Sequence, residues 1–338
     1  MFLPKFTITN KTLGRIAEIE HCKGVIESTT ILPTWQKQIE KEARIKTIAA
    51  DLKSLRLNAG PDLVKKYIDG LESSSPKEIM NLAACLDYVS NSAGNEVIEK
   101  ELDEESLKFF HRLIFHGKSG SDKGGVQFVS FRSKKVAEAS LPEEILAEVT
   151  ELFDWYYSLY AKETHPIIVA GIIKAQIENI QPFDSGNNIV ADITVRTILK
   201  NAGYAFNNYI SLESRYTDTS KSYDQYLYST VGKDLDYSLW LEYFTEEIAH
   251  EVLNTKEKIL LLARDTKLAK ASGRVKLTPR QERIIEHLQD YGIMQNKDFP
   301  KLFPGVSEDS ILRDIKVLLN QGIVVKTGST KSSMYELS

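Results

Sequence analysis

Nine residues carry the types and spacing for anion chemistry: Gln181-Pro-Phe-Asp-Ser-Gly-Asn-Asn-Ile, ending at Ile189, between two apolar helix-forming stretches. Pro182 fixes the exit from the first stretch, and Gly186 and Asn187 stand where the second begins. First-turn N–H groups have no intrahelical acceptor and sit at the positive end of the helix dipole, so this loop aims donors at whatever lies above it. A phosphate or carboxylate suits such a cradle, although a capped helix–helix turn that binds no ligand uses the same residues. The contacts expected for an anion or nucleotide are Phe183, as an apolar plug beneath the loop, and Asp184, Gly186, Asn187 and Asn188 around it. The loop lacks the side chains that would make it an obvious active site. The six histidines, His21, His111, His116, His165, His250 and His287, all lie away from the loop in chain order.

The elements that must hold this loop are helices. Residues 166–180 and 189–199 flank it. Before them, Pro33 to about Leu57 places Ile39, Ala43, Ile45, Ile48, Ala49 and Leu52 on one face, and Asp103 to His116 does the same with Leu107, Phe110, Leu113 and Ile114. A single helix is expected from Leu141 to about Lys162, and another from Tyr237 to about Leu262. Val126-Gln-Phe-Val-Ser-Phe131 alternates in the manner of a strand and reads as one arm of a small hairpin. There is no alternation of strands with helices, which excludes a doubly wound nucleotide-binding sheet.

The bulk composition narrows the function classes. Apolar residues make up 42% and charged residues 27% of 338, the balance of an ordinary globular chain. A net charge of -4 provides no whole-protein field for nucleic acid, so such a site would have to be local. Two cysteines, Cys22 and Cys85, make neither a disulfide framework nor a metal cluster and fit a reducing cytoplasm. No metal site, signal peptide or membrane span is expected.

The last 74 residues carry 12 Lys/Arg against 9 Asp/Glu. Residues 265–277 are polar and read as a linker. Thr278-Pro-Arg opens a helix with Ile284, Ile285 and Leu288 inward. A short helix, a turn at Pro304-Gly-Val306, a third helix from Ser307 to Asn320 and a terminal hairpin complete a winged-helix arrangement. Ser307, Asp309, Ser310, Arg313 and Lys316 would face a DNA groove, with Lys326 on the wing. Glu308 and Asp309 place two acids at that end, so docking on a protein is the other reading.

The loop and its neighbours resemble the Fic (Fido) family. Gln181 to Asp192 is similar to the family signature His-Pro-Phe-x-(Asp/Glu)-Gly-Asn-Gly-Arg-x-x-Arg, and Phe110-His-Arg-Leu-Ile, Phe131-Arg-Ser, Leu141-Pro-Glu-Glu-Ile, His165-Pro-Ile, Tyr209-Ile-Ser and Trp240-Leu-Glu-Tyr-Phe follow in family order. The resemblance implies a mainly α fold: a Fic-type helical core with a small β-hairpin flap, followed by a C-terminal winged helix. The domains expected are 1–100, the N-terminal helical region; 101–264, the Fic core; 265–277, the linker; and 278–338, the winged helix.

In the family the resemblance implies, the histidine activates a protein hydroxyl, the acid holds a divalent metal, and the loop and arginines hold ATP while AMP moves to the target. Pro182, Phe183, Gly186 and Asn187 match. Gln181 stands at the histidine, Ser185 at the acid, Asn188 at the second glycine, Ile189 at the first arginine and Asp192 at the second. Loss of a general base typically lowers a rate by roughly 10² to 10⁴. The expectation is a catalytically inactive AMP-transferase site that binds a nucleotide or anion, with ATP/Mg²⁺ only if binding survives. An active adenylyltransferase using non-standard residues is the alternative. Arg196 is expected to close an i,i+4 ion pair with Asp192 rather than hold phosphate. The family's inhibitory glutamate aligns near Leu55, where no acid stands. Expected partners are DNA at the winged helix or a protein target at the flap, residues 126–133, with a homodimer left open.

Overall fold

The computed structural model describes residues 1–29, 31, 33–57, 59–70, 76–91, 102–116, 142–232, 235–271, 277–320, 323–327 and 333–337. They form two compact units, Met1–Ser28 with Glu42–Lys256, and Thr29–Lys41 with Glu257–Ser338. The fold is mainly helical with a single small antiparallel sheet among the described residues. The expected flap, 126–133, lies outside them.

In the first unit α1 (Asn10–Ser28), the C-terminal part of α2 (Pro33–Ser54), α3 (Pro61–Ile68), α4 (Lys77–Asn91) and α5 (Glu104–Ile114) precede the central pair. The α2 stripe read from the sequence is buried at every position, Ile39 through Leu52. Asp103 starts α5 with a capping box, accepting from the Ser106 N–H at 2.8 Å. The expected helix 141–162 is two, α6 (Pro142–Tyr156) and α7 (Leu159–Glu163). Ser158 divides them by capping the second, accepting from the Ala161 N–H at 3.2 Å.

The middle of the unit is the antiparallel pair α8 (Pro166–Ile180) and α9 (Asn187–Asn201). Both are buried around almost their whole circumference. α8 is rich in β-branched isoleucine and valine, which favour strands locally. Burial on all sides overrides that preference, with Pro166 at the first helical position and His165 Nδ1 accepting from the Ile167 N–H at 3.4 Å. α10 (Leu212–Asp218) and α11 (Ser220–Tyr228) follow α9. α12 (Ser238–Ala271) then crosses α8 closely at Gly171, where Trp240 Nε1 donates to the Gly171 carbonyl at 2.8 Å. A Cβ on Gly171 would meet Phe244 Cδ1 at 2.8 Å, so only glycine permits this approach.

α12 runs to Ala271, so the first seven residues of the stretch 265–277 expected as a linker continue the helix, with no glycine or proline before Gly273. Within the stretch 1–100, Thr29–Lys41 groups with the C-terminal unit, where Lys37 Nζ pairs with Glu286 at 2.6 Å.

That second unit continues with α13 (Pro279–Tyr291), β1 (Ile293–Gln295), a short 3-10 turn, α14 (Phe299–Leu302), α15 (Glu308–Asn320), β2 (Val324–Thr327) and β3 (Met334–Leu337). The strands pair antiparallel in the order β1-β3-β2, with Ile293 and Val325 flanking Glu336. The hairpin was expected and β1 was not, because three residues are too few for a period to register. Ile284, Leu288, Met294, Phe299, Ile315 and Tyr335 anchor its core. Buried Asp314 joins two helices by accepting from Gln281 Nε2 at 3.0 Å and from Arg280.

Candidate functional site

The loop between α8 and α9 is built from two left-handed residues. Gln181 closes α8 at φ 50°, ψ 64°, its N–H donating to the Ile177 carbonyl at 3.0 Å. Gly186 opens α9 at φ 76°, and a Cβ there would strike Phe115 Cε2 at 2.9 Å. Asn187 ties the turn to itself: its Oδ1 accepts from the Phe183 N–H at 2.9 Å and its Nδ2 donates to the Phe183 carbonyl at 2.7 Å. Pro182 and Phe183 are buried, whereas Asp184 and Ser185 are exposed and Asn188 is half-buried. Phe183 is thus the plug expected beneath the loop.

His111 comes to this loop from α5, which chain order did not suggest. Its ring stacks on Phe183 with centroids 4.1 Å apart and bonds the Ser185 backbone. Burial lowers its pKa to about 4. Its Nδ1 is buried without a hydrogen-bond partner among the described residues. A histidine held neutral so far below its ordinary range is a weak base, and the stacking makes it a support of the loop. His165, the other family-matched histidine, caps α8 and lies 3.4 Å from Glu20.

Ile189 and Asp192 do not face the loop. Ile189 is buried, and the Asp192 carboxylate receives Lys174 Nζ at 2.6 Å. Lys174 is fully buried on α8, also bonds Glu178 at 2.9 Å, and lies over the Tyr216 ring at 4.7 Å. Glu178 in turn accepts from the Tyr223 hydroxyl. Burial by itself would lower the Lys174 ammonium, but Asp192 and Glu178 outweigh it and hold its pKa above the usual lysine value. Burial pushes the Asp192 carboxyl up, to about 7, against the pull of Lys174.

The ion pair expected between Asp192 and Arg196 is not the one formed. Arg196 binds Glu213 of α10 with two bonds of 2.7 Å each, and donates to the Asn207 carbonyl at 2.8 Å and to Thr47 Oγ1 at 3.1 Å. A planar fork matched to a carboxylate outcompetes a helical neighbour one turn away. Thr47 brings α2 into this network, and Asp51, one turn later, is buried beside it. Burial first, then the Glu213 and Asp192 carboxylates, hold the Asp51 carboxyl well above the usual range. Leu55 lies beyond the end of α2, so the acid this helix carries inward is Asp51. Sequence reading missed Lys174, Glu178, Glu213 and Asp51. The one available signal was a lysine amid the isoleucines of α8, which a buried helix tolerates only with a partner.

The loop, its supporting α5 and the α8–α9 pair can now be set beside known proteins. Residues 101–199 match the Fic/DOC family. The chain carries a Fic/DOC domain. Its fold is similar along the whole chain to a crystal structure of a Fic family protein from Desulfovibrio desulfuricans G20, at 18% identity and a TM-score of 0.64, covering 100% of this chain and 98% of the other. A Fic domain containing signaling protein from Bacteroides thetaiotaomicron VPI-5482 matches 76% of this chain and 98% of its own at 17% identity and a TM-score of 0.57. Fic-1 from C. elegans matches 74% of this chain and 71% of its own at 13% identity and a TM-score of 0.57. These likenesses show the Fic fold. No curated protein matches.

ATP with Mg²⁺, which the Fic resemblance implies, does not fit the residues present. Ser185 is a poor anchor for a hard cation, and the Asp184 carboxylate is exposed. Among the described residues no group of three His, Cys, Asp or Glu side chains could hold a metal ion. The buried anionic partner of Lys174 stands where the signature has a phosphate-binding arginine. What the loop does offer is its first-turn amides, which suit one small anion.

Of the residues expected to meet DNA, Asp309, Ser310, Arg313 and Lys316 lie on α15, Ser307 just precedes it and Lys326 is on β2. Ser307, Asp309, Arg313 and Lys316 are exposed, Ser310 is half-buried with its hydroxyl 2.9 Å from that of Ser307, and Lys326 is exposed on β2. No helix among the described residues is long and apolar enough to cross a membrane.

Proposed function

We propose that this chain is a Fic-fold protein that has lost AMP transfer and works by binding: a small anion at the 181–188 loop, and duplex DNA at a winged helix formed by residues 278–338. The observation that carries the first part is the burial of Asp192 against Lys174. With that pair in the interior and Gln181 at the end of α8, the loop keeps its amide cradle and, among the described residues, has neither a base nor an arginine clamp. The second part is supported by the order α13, β1, α14, α15, β2, β3 and by the strand order β1-β3-β2, which puts a helix–turn–helix beside a hairpin. Together they describe a cytoplasmic regulator of transcription. Cys22 and Cys85 are both buried and not disulfide-bonded, which accords with a reducing compartment.

The test is incubation of the full chain with labelled ATP and Mg²⁺, alongside Gln181→His. Neither protein should label itself, because restoring the imidazole restores neither the metal anchor nor the arginines. Robust labelling by the wild type would replace this reading with an active adenylyltransferase using non-standard residues. Calorimetry with phosphate, ADP and ATP completes the experiment. Heat with phosphate is expected, and silence with all of them would remove the anion site.

A further inference from the structure

The exposed face of α15 is a single polar stripe. Asp309, Arg313, Lys316 and Asn320 are all exposed and lie at offsets of 0, 4, 7 and 11 residues, which an α-helix stacks in one line. Ile311, Ile315 and Leu318, on the opposite side, are buried in the core of the unit. Val317 is the partly exposed apolar residue at the edge of the stripe. A stripe of this composition lacks the aromatic and aliphatic anchors of a protein interface. Lys297, Lys301 and Lys326 of the same unit are exposed as well.

The acids near the start of α15 differ in what they do. Glu308 Oε1 accepts from Asn296 Nδ2 at 2.9 Å, and Asp298 Oδ2 accepts from the Gln295 N–H at 2.9 Å. Both are occupied within the unit. Asp309 offers only its backbone carbonyl, to Arg313 Nε at 3.3 Å, and its carboxylate has no hydrogen-bond partner among the described residues. Beside phosphates an unpartnered carboxylate repels. In the major groove it has one favourable role, accepting from the N4 amino group of cytosine.

Resting on the winged-helix reading above, we infer that Asp309 and Arg313 form a base-reading pair that selects a C·G-containing half-site, Asp309 accepting from cytosine N4 and Arg313 donating to guanine O6 and N7. Four residues of helix advance about 6 Å, which is roughly two base-pair steps of 3.4 Å. The two side chains therefore reach positions about two steps apart in one site. Lys316, further along the stripe, reaches backbone phosphate, and Asn320 closes the line.

The experiment is selection of bound duplexes from a randomised library by the full chain, repeated with Asp309→Asn and Arg313→Ala. Wild type should enrich a cytosine within about two steps of a guanine. Asp309→Asn should move the cytosine position toward adenine, because an asparagine amide pairs with adenine N6 and N7. Binding to the wild-type consensus should fall roughly tenfold to a hundredfold for either variant. Circular dichroism of both variants separates lost recognition from lost folding; these exposed substitutions should leave the helical signal unchanged. A consensus unaltered by Asp309→Asn overturns the inference and leaves DNA binding standing. Failure of wild type to bind any duplex at low salt overturns the DNA reading itself, and with it this one.

Discussion

Lys174 and Asp192 meet at 2.6 Å inside the α8–α9 pair, the lysine fully buried and the aspartate nearly so. Neither could be kept there without the other, since an isolated buried charge costs several kcal/mol. Lys174→Met should therefore destabilise the protein by about 3–5 kcal/mol in urea unfolding, because Asp192 and Glu178 lose their shared cation. Adding Asp192→Leu should recover most of that loss. A double variant as unstable as the single one would show that the lysine acts through packing.

The Arg196 fork makes a similar demand on α10. Double-mutant cycles should give Arg196–Glu213 a coupling energy well above that of Arg196–Asp192. Arg196→Lys keeps the charge and loses the two-pronged contact, and it should cost about 2 kcal/mol. Equal coupling to both acids would restore the simple i,i+4 pairing.

Gly186 is confined twice, by φ 76° and by the Phe115 ring. Gly186→Ala should cost about 2 kcal/mol, about 1 of it from the left-handed backbone. Phe115→Leu in the same chain should relieve the steric part. Thermal unfolding of the three variants measures it, and an additive double variant would mean that Phe115 yields freely.

The buried carboxyls predict an unusual pH response. Asp51 and Asp192 titrate above the ordinary carboxylate range, so the folded state keeps protons that the unfolded chain has released. Stability must then fall as pH rises, by up to about 1.4 kcal/mol per pH unit for each such proton. His111, lowered to about 4, acts oppositely, but only below about pH 6.5. Above pH 6.5, where His111 no longer opposes the effect, the melting temperature should therefore decline as pH rises, and Asp51→Asn should flatten the decline. An unchanged slope in that variant would assign the effect to another group.

Much of this protein was legible without coordinates. The apolar periods of α2 and α5 placed their inward faces correctly because each helix buries only one side, and amphipathic spacing is then a direct record of packing. The central turn was marked by Pro182, Gly186 and Asn187, whose backbone requirements are local. The sequence by itself thus determined the helical fold, the place of the loop and the residue types that stand in it.

Tertiary structure alone decided what those residues do. α8 and α9 are buried on all sides, so periodicity cannot say which neighbour a buried charge will meet. Asp192 and Arg196 lie one turn apart, yet each turned to a partner on another helix, Lys174 of α8 and Glu213 of α10. His111 reached the loop across about 70 residues of chain to stack on Phe183. In a low-dielectric interior a charge is stabilised by close and well-oriented partners, and which groups come that close depends on how helices distant in sequence pack.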